Sequence, residues 1–257
     1  PIYHHDYWVQ LSQSENQMAQ AEAEYAAEQQ NLFIRTAKAY FGVLAAQSNL
    51  QFASMERQSL EFQLKQAKKR FEVGAASITD CREAQAGFDQ AKASEIDAQK
   101  KLRETKVALS EIIGPLDFEL NRLRDDVPLE LPTPSNLDDW SALARQNNWT
   151  VIAADNRAEV ARKNVEIQFS GHLPTLDLVG NMGVLDTDRP AGVVANSQTI
   201  GLQLNVPIFQ GGGVESRIRQ AEHQLAAAQQ NVDKQRRAAE RLAQDAYQGI
   251  ELTISQI

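Results

Sequence analysis

Histidine and carboxylate side chains are the residues of this sequence that could bind a metal ion. His4, His5 and Asp6 are consecutive, but they lack the spacing that places several ligands around one ion. His172 and His223 are isolated and also lack ligand spacing. We therefore expect no metal site.

Candidate catalytic groups are equally scarce. The acidic pairs Asp125-Asp126 and Asp138-Asp139 stand in a loop and in the first turn of a predicted helix, where solvated carboxylates are common. No nucleophile–base motif, phosphate-binding loop or zinc-protease motif is present. The one cysteine, Cys81, cannot form an intramolecular disulfide and has no catalytic motif around it. The sequence predicts neither an enzyme nor a cofactor.

The composition indicates long helices rather than a compact globule. Alanine and glutamine are abundant among the 257 residues, while the 13 glycines and 8 prolines cluster in short windows. The net charge of −8 supplies no basic surface for phosphates, so nucleic acid is not expected as a partner. No segment has the ~18 consecutive apolar residues of a transmembrane helix. Any membrane contact must therefore use strands.

A strand–helix unit occurs twice in the chain. Pro1-Ile2-Tyr3 matches Pro207-Ile208-Phe209, and the two helices that follow share their apolar positions. The first copy begins with the last residues of a strand and the second stops within its helix, so we expect a piece of a longer protein. The matched helical positions are Leu11 with Ile218, Met18 with Leu225, Ala39 with Ala246, Tyr40 with Tyr247 and Val43 with Ile250.

Two long helices are predicted to form an antiparallel hairpin. Residues 6–73 contain no proline and carry large or apolar residues at a period of about 3.5 to 3.6. Gly74 allows a tight turn, and Ser77 or Thr79 can cap a second helix over residues 78–113.

An irregular connector and two shorter helices come next. Gly114-Pro115 ends the second long helix, and the proline-rich residues 115–137 are expected to be irregular. Helices are predicted from about 137 to 146 and from about 150 to 170. Gly171 is expected to end the latter as its C′ glycine.

Beyond Gly171 the apolar period changes from helical to alternating. Two strands are predicted, each near the ~9–11 residues of a tilted membrane strand. The link between them, from Leu185 to Ser197, is polar and is expected to be an exposed loop. The apolar faces comprise Leu176, Leu178, Gly180, Met182 and Val184 in the first strand, and Ile200, Leu202, Leu204, Val206 and Ile208 in the second.

Two strands alone are at best marginally stable. They could form half of a soluble sandwich, but the chain offers no other strands for a second sheet. A closed barrel built from several copies would pair every strand edge. It would place Asn181, Gln203 and Asn205 toward a wet lumen, and the residues predicted to face lipid are Leu176, Leu178, Met182, Ile200, Leu202, Leu204 and Val206.

Three passages resemble the TolC family of outer-membrane efflux and secretion channels, and together they cover nearly the whole chain. One is the repeated strand–helix unit. Another resembles the family's strand-to-helix exit, in which Pro207, Gly211 and Gly212 stand out. The third resembles its periplasmic hairpin tip and comprises Arg70-Phe71-Glu72-Val73-Gly74, Ile78-Thr79-Asp80 and Glu83-Ala84-Gln85.

The resemblance implies a mainly α-helical fold with a membrane β-hairpin. Long antiparallel helical hairpins would form a coiled-coil-like α-barrel, and the strands would contribute to a trimeric 12-stranded β-barrel. On this map residues 4–113 are the first long periplasmic hairpin, with its tip near residue 74. Residues 114–172 are an equatorial connector with short helices, 173–210 are the outer-membrane hairpin, and 211–257 begin the second long helix.

The resemblance also implies roles for the tip. Asp80, together with Arg70, would belong to a polar network that holds the periplasmic end of the tunnel closed. The alternative is that Asp80 is an acidic residue favoured in the first helical turn by the helix dipole. The family commonly has leucine where Ala75 stands, which puts the docking contact of that leucine in doubt. The positions implied to dock an adaptor protein are Val73, Gly74, Ala75 and Ser77.

The implied function is passive conduction through the outer membrane of a Gram-negative bacterium. The partners would be two further copies in a homotrimer, outer-membrane lipid, a periplasmic adaptor (membrane fusion) protein and an inner-membrane pump. Drugs and secreted proteins are both possible substrates. A soluble periplasmic helical-hairpin scaffold or adaptor without a pore is the alternative. It accounts for residues 6–113 but not for the paired strands or the glycine-rich exit.

Overall fold

The computed structural model describes residues 1–115, 120–121, 123, 131–186 and 194–256. Two compact units are distinguished, Pro1–Glu28 with Leu129–Ile257, and Gln29–Pro128. No helix in the described ranges is both long and apolar enough to span a membrane. In chain order the elements are α1 (His5–Glu72), α2 (Ile78–Ile113), α3 (Leu137–Asn147), α4 (Trp149–Phe169), a 3₁₀ turn (Ser170–His172), β1 (Thr175–Asp186), β2 (Val194–Asn205) and α5 (Gly213–Gln256).

The unit Gln29–Pro128 contains the predicted antiparallel helical hairpin from residue 29 onward. Arg57 Nε of α1 lies 2.7 Å from Glu95 Oε2 of α2, and the Cys81 thiol lies 3.4 Å from the Ala67 carbonyl. Leu109 is almost completely buried. The predicted helix limits are correct within one residue, because both helices lack proline and a glycine, Gly74 or Gly114, follows each of them.

The other unit is built around helix α5, which packs against α3 and α4. Val214 and Ala221, and further along Val232 and Ala239, are seven residues apart and buried. This spacing is the heptad period of a coiled-coil seam. The predicted limits of α3 and α4 are correct within one residue, and Asn148 both ends α3 and caps α4 by accepting a hydrogen bond from Thr150 N at 2.9 Å.

The apolar positions that α1 shares with α5 differ in burial between the two helices, and Val43 is fully buried whereas its counterpart Ile250 is 41% exposed. Met18, the counterpart of Leu225, has 65% of its surface accessible, and Leu11 has 64%. The counterparts in α5, Ile218 and Leu225, are half-buried. The two copies therefore share a pattern and differ in what covers it.

Gly171 does not have the role that the sequence predicted. A C′ glycine adopts positive φ, whereas the glycines with positive φ among the described residues are Gly74, Gly114, Gly211 and Gly212. Gly171 lies within the 3₁₀ turn, where an added Cβ would approach Val214 Cγ1 at 3.3 Å. The absence of a side chain thus permits the start of α5 to pack closely against this turn.

Strands β1 and β2 form an antiparallel pair with Leu178 opposite Leu202. The strands extend further into the predicted loop than expected, to Asp186 and from Val194, and residues 187–193 lie outside the described part of the chain. The second strand ends at Asn205, so the expectation that Val206 and Ile208 belong to it is wrong. Pro207 has no N–H and restricts the residue before it, which explains the early end.

Residues 1–3 lie along the edge of β1 that does not contact β2. Tyr3 forms an isolated antiparallel bridge with Leu176. Its N–H donates to the Leu176 carbonyl at 3.0 Å, and the Leu176 N–H donates back at 2.9 Å. This pairing is what we expect of residues that end a strand.

Burial predicts different costs for truncating a buried residue of α5 and an exposed residue of α1. Val232→Ala should lower the free energy of unfolding by about 2 kcal/mol, because it removes two buried methyl groups and leaves a cavity. Met18→Ala in the exposed copy should cost under about 0.5 kcal/mol. Urea unfolding followed by helical circular dichroism measures both. Equal losses would show that Met18 is also covered in the isolated chain.

Arg145 and Glu240 predict an acid-sensitive contact between α3 and α5. Arg145 Nε donates to Glu240 Oε2 at 2.9 Å, and Nη2 donates to Oε1 at 2.6 Å. This hydrogen bonding, with the positive charge, lowers the pKa of Glu240 from its ordinary 4.5. A carboxylate whose pKa is lower in the folded state stabilises the fold at pH values above its unfolded-state pKa. This stabilisation is lost as the pH falls through the folded-state pKa.

Arg145→Gln should therefore lower the urea midpoint at pH 7, and its difference from the wild type should vanish near pH 3. Glu240→Gln should behave in the same way. Arg241→Gln is a matched control, because Arg241 pairs with Asp245 inside α5. A difference for Arg145→Gln that persists undiminished at pH 3 would contradict this account.

Candidate functional site

The hairpin β1–β2 has one mainly apolar face. Directly opposed residues of an antiparallel pair project to the same side of the sheet. Leu176 faces Leu204, Leu178 faces Leu202 and Gly180 faces Ile200, and Met182 continues the row opposite the polar Gln198. All of these side chains except Leu176 are exposed, with Met182 at 83% and Ile200 at 82%. The predicted grouping of these residues on one face is confirmed.

The opposite face is polar. Its pairs are Thr175 with Asn205, Asp177 with Gln203, and Asn181 with Thr199. Within 175–183 and 196–205, where the side chains are described, Asp177 is the one charged residue on either face. A sheet with these two faces fits a boundary between an apolar and an aqueous phase.

Both edges of the hairpin offer unpaired backbone groups. The sheet contains β1 and β2 alone among the described residues, and Tyr3 covers the outer edge of β1 at Leu176. Over the described parts of the chain, no strand pairs with the outer edge of β2. Such edges are templates for further strands.

His4, immediately before α1, contacts the polar face of the hairpin through Asp177. Its Nε2 lies 3.1 Å from Asp177 Oδ1 and 3.2 Å from Oδ2, although the two residues are 173 positions apart. The imidazole stacks on the Tyr7 ring with centroids 4.6 Å apart, and 17% of its side chain is exposed. This pair could not be predicted from sequence patterns, because the strand and the helix start are distant in the chain.

Two further histidines pair with carboxylates near the same junction. His5 Nε2 lies 3.9 Å from Glu166 Oε1, and His172 Nε2 lies 3.2 Å from Glu215 Oε1. Over the parts of the chain that the structure describes, no group of three or more His, Cys, Asp or Glu residues could hold a metal ion.

The strand-to-helix exit consists of the residues that the sequence singled out. Gly211 and Gly212 have φ of 59° and 78°, which favour glycine. The Gly213 N–H donates to the Gln210 carbonyl at 3.0 Å and closes the turn into α5. Pro207 is half-buried at the start of this exit. Ile208 and Phe209 are almost fully exposed.

The tip between α1 and α2 is a short exposed turn. Gly74 has φ of 76°, and the Ala75 N–H donates to the Arg70 carbonyl at 2.7 Å. The side chains of Val73, Ala75 and Ser77 are exposed. The structure therefore presents the predicted docking positions on one accessible turn, and whether they dock a partner stays a prediction.

Asp80 has a local role in the structure. Its Oδ2 accepts a hydrogen bond from Ser77 N at 2.9 Å, and its own N–H donates to Ser77 Oγ at 3.1 Å. This is a reciprocal capping box at the start of α2. Asp80 and Arg70 are both exposed and form no ion pair with each other among the described residues. The predicted network involving the two therefore remains a prediction.

Comparison with known proteins relates these features to a family. The family described as "Outer membrane efflux protein" matches residues 1–115 and 140–257. The outer membrane protein TolC of Vibrio cholerae is 39% identical over 237 residues, which are 90% of this chain and 54% of that protein. The proteases secretion protein PrtF of Dickeya chrysanthemi is 27% identical, with 92% and 52% covered. The chain thus spans about half the length of these relatives.

A solved structure shares the fold. The Campylobacter jejuni CmeC outer membrane channel superimposes with a TM-score of 0.70 at 18% identity, covering 89% of this chain and 49% of that one. The fold class predicted from the sequence is confirmed, and the alternative of a soluble hairpin scaffold finds no support. The matched family consists of transport channels rather than enzymes, and its members reside in the outer membrane of Gram-negative bacteria. The chain belongs to the outer membrane efflux protein family, the family of TolC.

Proposed function

We propose that this chain is part of a channel protomer that conducts solutes passively through the outer membrane. The two-faced hairpin is the observation that carries the proposal, because exposed Leu178, Met182, Ile200, Leu202 and Leu204 share one face and polar side chains share the other. A row of exposed apolar side chains of this size is costly in water and favourable in lipid. Val206 lies beyond the strand and would contact the interface rather than the barrel wall.

The open strand edges support assembly into a homotrimer. In lipid, every backbone N–H and C=O must be paired within protein, so a hairpin with open edges cannot remain there alone. Three copies of β1 and β2 supply six strands, so the 12-stranded barrel implied by the resemblance would also need a second hairpin from each protomer. Strands from other copies and from those hairpins would pair with the outer edges of β1 and β2 and close a barrel, in which the polar face lines the lumen.

The helical part would extend the conduit into the periplasm. We assign residues 4–113 to a periplasmic hairpin, 114–172 to an equatorial connector, 173–210 to the membrane hairpin and 211–257 to the start of a second long helix. The tip residues Val73, Gly74, Ala75 and Ser77 would dock a periplasmic adaptor protein. An inner-membrane pump reached through that adaptor would supply the energy.

The substrates would be drugs or secreted proteins. The name of the Dickeya chrysanthemi relative refers to protease secretion, which favours protein export for that protein. The relatives include both outer membrane proteins of the TolC type and secretion proteins. Within the described residues, the polar face of the hairpin supports passage of hydrated solutes of either kind.

Lipid contact can be tested with neighbouring residues on opposite faces. Leu202→Lys should reduce recovery of the trimer in mild detergent and in liposomes, because a lysine at the membrane midplane costs about 2–4 kcal/mol. Gln203→Lys, one residue further on the polar face, should be tolerated. Light scattering of the 257-residue chain with and without detergent gives the assembly state.

The proposal expects a trimer that depends on detergent for the wild type. A monomer whose behaviour is the same with and without detergent would reject barrel assembly by this chain. Equal effects of the two lysine substitutions would reject the assignment of the faces.

The proposed closed state of the tip can be tested separately from the capping box. Asp80→Asn removes the charge but keeps an oxygen that can accept from the Ser77 N–H. If the charge holds neighbouring tips together, this variant of the full-length trimer should raise single-channel conductance in planar bilayers, as a few charge-assisted bonds would be lost.

Ser77→Ala is the matched control. It should destabilise the start of α2 by about 1 kcal/mol, seen as faster amide exchange in its first turn, without raising conductance. Unchanged conductance in Asp80→Asn would contradict a gating role. An equal rise in both variants would assign the effect to helix capping.

A further inference from the structure

We propose that a groove on helices α1, α4 and α5 binds extended polypeptide with acidic side chains, through the guanidinium of Arg157 and a set of side-chain amides. The inference deepens the proposed function and rests on it for one point. In a channel protomer such a groove would be a contact site for exported polypeptide, one of the two substrate classes considered above.

The groove lies within one compact unit, which includes α1 as far as Glu28. Helix α4 contacts both of the other helices, because Gln13 Nε2 of α1 donates to the Val160 carbonyl at 2.9 Å and α5 packs along α4. Two adjoining cavities of about 710 Å³ and 410 Å³ result, and both are lined by Arg157 and Asn231. Cavities of this size are typical of ligand sites.

The larger cavity is polar but carries a single charge. Arg157 is the one charged residue among those that line it, and the apolar part of its lining consists of three alanines and a valine. Four amides complete it, namely Gln13, Asn164, Gln224 and Asn231. A ligand here would meet one fixed cation and several groups that both donate and accept hydrogen bonds.

The guanidinium of Arg157 has no partner in the described part of the chain. Arg157 is exposed, and neither a carboxylate nor a carbonyl there accepts a hydrogen bond from its side chain. By contrast, Arg162 Nε lies 2.7 Å from Glu159 Oε2, and Arg236 Nη2 lies 3.0 Å from Asp155 Oδ1. A guanidinium left available in a cavity suits bidentate recognition of a carboxylate.

The amides fit the main chain of an extended peptide. Asparagine and glutamine offer an NH₂ group to a peptide carbonyl and an oxygen to a peptide N–H. Along α4 the two cavities extend from Thr150 to Asn164, about 20 Å at the helical rise of 1.5 Å per residue. About six extended residues cover this distance. Amides that bind main-chain groups would hold a polypeptide with little regard to its sequence.

Acidic residues of the smaller cavity limit where a carboxylate can bind. Glu24 and Glu28 line that cavity from α1. They disfavour a ligand carboxylate toward Thr150, so acidic side chains should bind at Arg157 and toward Asn164. The net charge of −8 is screened beyond about 8 Å at physiological ionic strength, so local contact with Arg157 decides the preference.

Fluorescence anisotropy of labelled peptides tests the proposal on the 257-residue chain in mild detergent. One probe alternates glycine with aspartate over about six residues, and the other has asparagine in place of aspartate. The acidic peptide should bind at least about fivefold more tightly, because only its carboxylates form charge-assisted bonds with Arg157. Arg157→Gln should remove this difference. Arg157→Lys should restore part of it, since lysine keeps the charge without the planar fork.

Arg162→Gln is the matched control. At 3.6 residues per turn, Arg162 projects to nearly the opposite side of α4 from Arg157, where it lines a separate groove. The control removes the same charge from the same helix and should leave both affinities unchanged. Circular dichroism and the urea midpoint verify folding of each variant. Equal weakening by Arg157→Gln and Arg162→Gln overturns the proposal, because binding would then follow total charge.

Proton–nitrogen spectra of the side-chain amides locate the bound peptide. The signals of Gln224 and Asn231 should move on titration with the acidic peptide, while Gln229, which lines the separate groove, should stay in place. Asn231→Ala should weaken both peptides alike, because its amide binds the main chain. Movement of Gln229 without Asn231 overturns the assigned site.

Competition by acetate separates a polypeptide site from one for small carboxylates. At the same carboxylate concentration, acetate should displace the labelled peptide at least about fivefold less well than the unlabelled peptide does, because it lacks main-chain hydrogen bonds. Equal displacement overturns the assignment to polypeptide.

The assembly state distinguishes failure of this inference from failure of the channel function. A detergent-dependent trimer that does not bind the acidic peptide overturns the inference and leaves the channel standing. A chain that binds the peptide but never forms a trimer supports the groove as a peptide site and rejects the channel function. Binding by the monomer that disappears in the trimer overturns the role in export, because a second copy then occupies the groove.

Discussion

The backbone of the β1–β2 hairpin is the constraint on which the other features depend. Each strand has twelve residues and forms a ladder with its neighbour along one edge. The outer edges present further N–H and C=O groups, which cost several kcal/mol each if they enter hydrocarbon unpaired. The apolar face favours lipid and the open edges forbid a solitary hairpin there. Association with other strands satisfies both demands, so membrane insertion and assembly would be coupled in the proposed channel.

Helices α1 and α5 both begin beside that hairpin. Tyr3 is bound to Leu176 of β1, and α1 begins two residues later at His5. After β2, the turn through Gly211 and Gly212 leads into α5 at Gly213. In the second copy Pro207 follows the end of β2, whereas in the first copy Ile2 and Tyr3, which follow Pro1, still hydrogen-bond to Leu176. The repeated unit is therefore a way of anchoring a long helix to the rim of a sheet, and the chain uses it twice.

The sequence was sufficient where local rules act without competition. Gly74, Ser77 and Gly114 define both ends of α2, because a left-handed turn, a side-chain cap and a terminating glycine each act within a few residues. Alternation placed the apolar residues of the hairpin on one face, since the period of a strand is fixed. Strand β2 ends before Pro207, although the alternation of apolar and polar residues continues beyond it. The alternation of side chains does not show that proline lacks a backbone N–H.

Contacts between distant segments were beyond sequence reasoning. Gly171 looked like a helix terminator, and its actual role depends on Val214, which approaches it closely in space. His4 and Asp177, or Arg145 and Glu240, meet only because the fold brings their elements together. The apolar positions shared by α1 and α5 look alike in the sequence, yet Leu11 and Met18 are exposed while Ile218 and Leu225 are half-buried, so coverage depends on which helices lie alongside.

Asp80 shows how a local role and a functional role can share one side chain. Its Oδ2 is engaged by the Ser77 N–H, while among the described residues no bond occupies Oδ1. A carboxylate oxygen can accept more than one hydrogen bond, so a neighbouring cation can bind Asp80 without first breaking the cap. The cap fixes the position of the carboxylate at the beginning of α2, which lowers the entropy lost when a partner binds it. A contact that forms and breaks at the tip would then act on a helix start whose geometry the cap already fixes. A stronger contact would also stabilise the first turn of α2. Capping and gating are for this reason compatible interpretations of Asp80, and they differ only in whether its charge is required.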